Sequence, residues 1–133
     1  MLATGMKGHL ERSVTEKQTA VHMGSGELPV FATPALVALA EETAWRSVVE
    51  GLEPGQGTVG TKMELSHLSA TPIGMTVRCE TELVEIDRRK LVFSIQAFDE
   101  VEKIAEGRHE RFIINEESFL EKANAKGFVT PAE

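Results

Sequence analysis

The clearest hydrophobic periodicity in the chain runs from Thr33 to about Glu50 and predicts one long helix. Thr33 belongs to a residue type that caps helices, Pro34 suits the first helical position, and Gly51 suits the end. On a wheel with about 100° between residues, the centre of the apolar stripe is predicted to consist of Val37, Ala40, Ala44 and Val48.

After the turn-rich segment GLEPGQG, the pattern changes to an alternation with a period of two, which predicts strands. The odd positions from Val59 to His67 are predicted to share one face of the first of these strands. Further strands are predicted over about 75–86, 91–98 and 103–115. Short turns between them favour antiparallel pairing, and Gly107 predicts a bulge in the last strand. A short final helix is predicted over 117–126.

The polar segment from Leu10 to His22 alternates more weakly and predicts a first strand. The predicted order is then a strand, a long helix and four antiparallel strands. An antiparallel sheet with a single long helix buries its apolar face against that helix. The sequence therefore predicts an α+β fold in which the sheet wraps one central helix, with residues 1–133 forming a single domain.

Composition and charge restrict the possible functions. Apolar residues make up 41% of the chain and charged residues 26%, which is typical of a globular protein. A net charge of −7 argues against a nucleic-acid partner. The longest apolar run is only Ala35 to Ala40, and the first ten residues contain no apolar signal core, so we expect a cytoplasmic protein without a membrane partner. The single Cys79 excludes a disulfide within the chain and favours a reducing compartment.

Two neighbouring glutamates on the predicted helix differ in their surroundings. Glu41 borders the apolar stripe, whereas Glu42 lies on the opposite side and can point to water. A carboxylate at that border either reaches out to solvent or has a partner or a function. Thr33 lies on the same side as Glu41 and is interpreted as a helix cap, a role compatible with a catalytic one.

The histidines suggest no metal site. His67 lies on the inward register of its strand and is either a hydrogen-bonded structural histidine or a catalytic one. The remaining histidines have no metal-ligand spacing to one another or to Cys79. One of them, His109, is interpreted as an ordinary strand residue. The GQGTVG segment at 55–60 matches GxGxxG, but it follows a helix and opens a strand, which excludes a dinucleotide-binding fingerprint.

Three segments, VFATPALVALAEETAW, LEPGQGTVGTKMELSHLSATPIGMTV and RRKLVFSIQAFDEVEKIAEGRHERF, together resemble the fluoroacetyl-CoA thioesterase family. The similarity spans about Val30 to Arg111. Its most specific elements are FAT at the helix start, Glu41 two turns later, VGT around Gly60, SH followed by ATP, and GxHER. The resemblance implies the hotdog fold and a homodimer, or a higher oligomer, whose sheets join edge to edge. It also implies acyl-CoA sites at the subunit interface.

The resemblance also implies roles for individual residues. Thr33, Glu41 and His67 match the catalytic threonine, glutamate and histidine of the family. Gly60 matches the glycine whose backbone N–H helps to hold the thioester carbonyl, and Arg111 matches an arginine at the site. The implied reaction is hydrolysis of a small acyl-CoA, with Glu41 as nucleophile or general base, His67 as proton shuttle and Thr33 orienting. No cofactor is implied beyond the coenzyme A of the substrate.

Two departures from the family pattern bear on the substrate. Pro34 and Ala35 follow Thr33 where the fluoroacetyl-specific enzyme has another pair, and the segment at 24–27 contains no aromatic residue. The substrate expectation is therefore an acyl-CoA rather than fluoroacetyl-CoA in particular.

The basic segment at 88–90 has two possible roles, and two functions other than hydrolysis are compatible with the sequence. Arg88, Arg89 and Lys90 either neutralise the phosphates of coenzyme A or form a solvated turn. The alternatives to hydrolysis are a non-catalytic hotdog module that binds acyl-CoA and, with less support from the spacing, an enoyl-CoA hydratase.

Overall fold

The computed structural model describes residues 1–127. The β-strands are β1 (Lys7–Ser13), β2 (Gln56–His67), β3 (Thr76–Asp87), β4 (Lys90–Phe98) and β5 (Lys103–Asn115). The α-helices are α1 (Ala20–Met23), α2 (Thr33–Val48) and α3 (Glu116–Asn124), and short 3₁₀ turns cover Glu16–Gln18 and Val49–Gly51. The predicted domain extends to residue 133, and its last six residues lie outside the described part.

The five strands form one antiparallel sheet in the order β1-β3-β4-β5-β2, which makes β1 and β2 its edges. The helix α2 packs against β3 and β1 on the concave face of the sheet. The inward positions of β3 and β4 are buried there, among them Val77, Cys79, Leu83, Leu91, Phe93 and Ile95. The predicted α+β architecture, a curled antiparallel sheet around one long helix, is confirmed.

The start of α2 differs from the prediction. The N-cap residue is Ala32, and no side chain caps the helix. Thr33 is the first residue of the helix, and its hydroxyl is hydrogen-bonded to His67 instead. The prediction that Thr33 caps the helix was therefore wrong, and Pro34 in the first turn leaves one backbone N–H fewer to satisfy.

The buried face of α2 is rotated by roughly 60° from the predicted stripe centre, on the same wheel of about 100° per residue. The buried residues are Leu36, Leu39, Ala40, Thr43, Ala44 and Val48. Val37 is only half-buried. The wheel omitted Thr43 because it is polar, but its hydroxyl donates to the carbonyl of Leu39 at 2.7 Å, which makes burial inexpensive.

The strand β2 contains a bulge at Thr61, since Gly60 pairs with Arg111 and Lys62 pairs with Glu110. The extra residue reverses the alternation, so that Thr58 and Gly60 face α2 before the bulge. After the bulge the half-buried residues are Met63, Leu65 and His67. The prediction that Val59, Thr61 and His67 share one face was therefore wrong.

No bulge lies at Gly107, which pairs in regular register with Leu65 and Ile95. A Cβ at this position would collide with the carbonyl oxygen of Glu64. The glycine therefore permits close approach of β2 to β5, and the predicted bulge was wrong in its position.

The bounds of the first strand and of the last helix differ from the predicted ones. The first strand ends at Ser13, and the 3₁₀ turn and α1 occupy most of the segment predicted as a strand up to His22. The final helix α3 begins one residue earlier than predicted and ends at Asn124. Among residues 1–127, no helix has the length and apolar character needed to cross a bilayer.

Candidate active site

The first part of the site lies where the start of α2 meets the end of β2. Thr33 Oγ1 and His67 Nδ1 are 2.8 Å apart and form a hydrogen bond. Both residues line a pocket of about 340 Å³, together with Phe31 and Ser69. Burial lowers the pKa of His67, which keeps the ring neutral near pH 7. Its Nε2 is buried and has no hydrogen-bond partner within residues 1–127.

The second part of the site is centred on Glu41, two turns further along α2. Its side chain is 43% exposed, and Oε2 lies 3.9 Å from Nη1 of Arg111. Gly60 of β2 lies directly against it, since an added Cβ there would be 2.8 Å from Oε2. The absence of a side chain at Gly60 therefore gives the carboxylate room beside the strand.

The neighbouring Glu42 has a different environment, but its side chain is 29% exposed against 43% for Glu41, so the prediction that Glu42 is the glutamate that points to water was wrong. It accepts hydrogen bonds from Arg12 at 2.9 Å and from Arg46 at 2.8 Å. Partial burial acts against ionisation, but the hydrogen bonds and charges of these two arginines lower the pKa of Glu42. It is therefore a structural carboxylate on the side of α2 away from Gly60.

Arg111 is buried, with only 7% of its surface exposed, and its guanidinium group is held by several partners. Nε donates to Thr58 Oγ1 at 2.8 Å, and Nη2 donates to the Thr58 carbonyl at 3.0 Å. Nη1 lies 3.0 Å from Nε2 of His109, a residue that is 1% exposed. The sequence-based interpretation of His109 as an ordinary strand residue missed this contact. The available signal was its position two residues before Arg111 on the same inward register.

Within one chain, the two parts of the site are separate. Thr33 and Glu41 are eight residues apart on α2, which corresponds to about 12 Å along the helix axis. Gly60 and His67 lie opposite Arg111 and Ala105 of β5, which are six residues apart, roughly 20 Å along an extended strand. In the described part of the chain, no hydrogen bond joins Glu41 to His67. The structure therefore brings Thr33 together with His67, and Glu41 together with Gly60 and Arg111.

The basic segment lies at the same end of the sheet as Glu41. Arg88 and Arg89 form the turn between β3 and β4, and Arg88 has a left-handed φ of 59°. Lys90 pairs with Phe112, which in turn pairs with Val59, next to Gly60. The predicted turn is present, and it lies two strands away from the Glu41 end of β2.

Residues 1–127 contain neither a group of side chains arranged to bind a metal ion nor a reactive thiol. Across residues 1–127, no three His, Cys, Asp or Glu side chains are arranged to hold a metal ion. Cys79 is free and buried, and burial raises the pKa of its thiol to about 11. It therefore lacks the thiolate character that a nucleophilic cysteine needs.

The model of the fluoroacetyl-CoA-specific thioesterase family, FlK, matches residues 14–117. The chain belongs to this family. A fluoroacetyl-CoA thioesterase from Streptantibioticus cattleyicolor is 41% identical to it over 103 residues, which cover 77% of this chain and 72% of the relative. The family resemblance seen in the sequence is confirmed, and this member of the FlK family is an acyl-CoA thioesterase.

Solved structures agree with this assignment. A structure of the fluoroacetyl-CoA thioesterase FlK has a TM-score of 0.90 and 34% identity, covering 96% of this chain and 99% of the other. A variant of FlK in complex with fluoroacetate and CoA has a TM-score of 0.84 and 33% identity, with coverages of 89% and 99%. A thioesterase superfamily member from Thermus thermophilus, 24% identical with a TM-score of 0.86, covers 95% of this chain and 96% of its own, and shares the fold.

Proposed function

We propose that this FlK-family thioesterase hydrolyses a small acyl-CoA to the free acid and coenzyme A at a site shared between two copies of the chain. The observation that carries the proposal is that the predicted catalytic residues lie in two separate half-sites on the side of β2 that faces α2. Glu41 with Gly60 and Arg111 forms one half, and Thr33 with His67 forms the other. A homodimer in which β2 strands pair would bring one half from each subunit together.

We place the two-fold axis of such a dimer at Glu64, because this register brings the two half-sites together. β2 pairs with β5 alone in the described part of the chain, so its other edge can accept a strand. An antiparallel pair with its two-fold axis at Glu64 places Met63 opposite the partner's Leu65. Because Thr61 is the extra residue in β2, Gly60 then lies opposite the partner's His67. Both side-chain positions face α2, as directly opposed residues must.

In this arrangement neighbouring strands are about 4.8 Å apart, which places Glu41 and the partner's His67 on either side of one thioester. Glu41 either attacks the carbonyl carbon, expelling the coenzyme A thiolate and leaving a mixed anhydride that water cleaves, or takes a proton from the attacking water. The backbone N–H of Gly60 stabilises the oxyanion. The thiol leaving group, with a pKa near that of cysteine at about 8.5, needs little acid assistance.

The pocket dimensions support a short acyl chain. A volume of about 340 Å³ beside Thr33 and His67 lies at the lower end of the range of ligand pockets, roughly 300 to 1,000 Å³. Its apolar wall includes Val30 and Phe31. We therefore assign the acyl group to this pocket.

Thiol release from a panel of short, branched and aromatic acyl-CoAs tests the reaction. The wild-type protein is expected to release thiol from the short substrates, and Glu41→Gln is expected to lose this activity. Ligand binding without thiol release by the wild type would instead support a binding module, and loss of enoyl absorbance without thiol would support a hydratase. In single turnovers in H₂¹⁸O, label in the Glu41 carboxylate indicates covalent attack, and label confined to the released acid indicates attack by water.

Mixing two inactive variants tests the shared site. In a heterodimer of Glu41→Gln and His67→Ala, one of the two composite sites contains both wild-type residues. Random mixing makes half of the dimers heterodimers, so activity should recover to about a quarter of the wild-type value. If Glu41 and His67 of one chain served the same site, every site in the mixture would lack a residue and no recovery would occur.

A further inference from the structure

His109 is a buried polar residue for which the reaction proposed above has no use. It is 1% exposed, and its ring packs against Phe93 with the ring centroids 6.2 Å apart. A buried imidazole is costly unless its nitrogens are hydrogen-bonded. Both nitrogens have partners, since Nδ1 lies 2.8 Å from the carbonyl oxygen of Lys62 and Nε2 lies 3.0 Å from Nη1 of Arg111.

These two partners determine the tautomer of the ring. A carbonyl oxygen can only accept a hydrogen bond, so Nδ1 of His109 carries the proton and donates to Lys62. A guanidinium group can only donate, so Nε2 carries the lone pair and accepts from Arg111. A proton on Nε2 would face a cationic N–H directly. His109 is thereby restricted to accepting from Arg111.

The bulge in β2 supplies one end of this chain of contacts. Lys62 directly follows the extra residue Thr61, where the ladder with β5 is interrupted. The hydroxyl of Thr61 donates to the carbonyl of Glu110 at 3.2 Å, and the carbonyl of the next residue, Lys62, accepts from Nδ1 of His109 at 2.8 Å. The position of the ring is therefore set by backbone geometry rather than by a flexible side chain.

At the other end, Arg111 has a fixed orientation. Thr58 binds Nε and Nη2, and His109 binds Nη1, so each nitrogen of the guanidinium group has a partner. Nη1 is also the atom that lies 3.9 Å from Oε2 of Glu41. The His109 ring thus restrains the one nitrogen of Arg111 that faces the carboxylate.

We infer that His109 is a positioning residue of this thioesterase, which acts through Arg111 to hold the Glu41 carboxylate at the thioester and does not itself touch the substrate. The inference rests on the proposed role of Glu41. Since a misplacement of about 1 Å at a reacting group can cost 10²-fold in rate, loss of this restraint is expected to lower kcat.

Two substitutions of His109 separate positioning from packing. In His109→Gln the amide oxygen can take the place of Nε2 and accept from Arg111, whereas in His109→Asn the shorter amide takes the place of Nδ1 and reaches only Lys62. We expect kcat within about 3-fold of wild type for Gln and a loss of about 10-fold or more for Asn, with KM changed by less than about 3-fold in both. Equal kcat losses in the two variants would overturn the inference.

The Arg111→Lys background provides the packing control, because lysine lacks the forked guanidinium geometry. In that background the difference between Gln and Asn at position 109 should disappear. If the difference persists, it arises from the volume of the side chain and the positioning role is wrong. Thermal denaturation of all variants confirms that the compared proteins are folded.

A spectroscopic measurement keeps the inference separate from the proposed reaction. ¹⁵N NMR of the wild-type protein at pH 7 should show His109 as the Nδ1–H tautomer and a slowly exchanging Nη1–H of Arg111, the group that contacts His109. The slow exchange should persist in His109→Gln and be lost in His109→Asn. An Nε2–H tautomer would overturn the positioning role and leave the proposed reaction standing, whereas an active Glu41→Gln variant would overturn the proposed role of Glu41, on which the inference rests.

Discussion

The substitution Gly60→Ala tests whether the position of the Glu41 carboxylate controls the reaction. A Cβ at position 60 would lie 2.8 Å from Glu41 Oε2, 3.1 Å from His109 Cε1 and 3.2 Å from Arg111 Nη1. The first contact is too short, so the flexible end of Glu41 must move, while the other two require shifts of a few tenths of an ångström. Restoring an ordinary contact of 3.4 Å moves Oε2 by about 0.6 Å, and because a misplacement of about 1 Å can cost 10²-fold in rate, kcat should fall by about 10-fold or more.

The same substitution should leave stability nearly unchanged. Gly60 does not have a positive φ, and alanine is favoured over glycine inside a strand by roughly 0.5–1 kcal/mol, which offsets the cost of the close contacts. Urea unfolding should therefore give a free energy within about 1 kcal/mol of wild type. Thiol release under saturating acyl-CoA measures kcat on the same preparation.

Gly57→Ala is the matched control for this test. It lies on the same strand, and its added Cβ would lie 2.8 Å from Oε2 of Glu116, another flexible carboxylate. In both variants the added methyl group displaces a glutamate carboxylate, but Glu116 belongs to α3 and has no role in the proposed reaction. We expect kcat within about 3-fold of wild type. A wild-type kcat in Gly60→Ala, or equal losses in both variants, would refute the reasoning.

Further outcomes follow from the same contacts. Burial lowers the pKa of His109 below the ordinary 6.5, so below that pH the unfolded chain binds more protons and the free energy of unfolding falls. Urea titrations should show this fall, and His109→Gln should reduce it. Thr33→Ala should lower kcat about tenfold by releasing His67, whereas Thr33→Ser should keep most of the activity in thiol-release assays. Replacing Arg88 and Arg89 by alanine should raise KM severalfold with little effect on kcat, and added salt should reduce this difference.

Most of the fold could be predicted from the sequence because the helix α2 and the central strands have clear hydrophobic periodicity. The inward positions of β3 alternate from Val77 to Leu83, where the register with β4 shifts, and each of the two strands lies within one residue of its predicted bounds. The segment up to His22 was harder, since its polar alternation is also compatible with turns and a short helix. Local propensity does not decide between these structures when few apolar residues are buried.

The details of the site were less accessible to sequence reasoning for physical reasons. A bulge at Thr61 has no composition signal of its own, yet it changes which residues of β2 face α2. The burial of Arg111 depends on Thr58, more than fifty residues earlier in the chain, and on His109. Such long-range hydrogen bonds satisfy polar groups that a sequence pattern treats as exposed.

The bulge at Thr61 also links several features that are unrelated in sequence. It turns Gly60 toward Glu41, lies next to the Lys62 carbonyl that binds His109, and, in the dimer proposed above, allows Gly60 to lie opposite the partner's His67. A regular strand would place Gly60 on the outer face together with Lys62, and the inward position would be occupied by a residue with a side chain. Because these consequences all depend on one inserted residue, the orientation of the site and the pairing of the subunits are expected to change together.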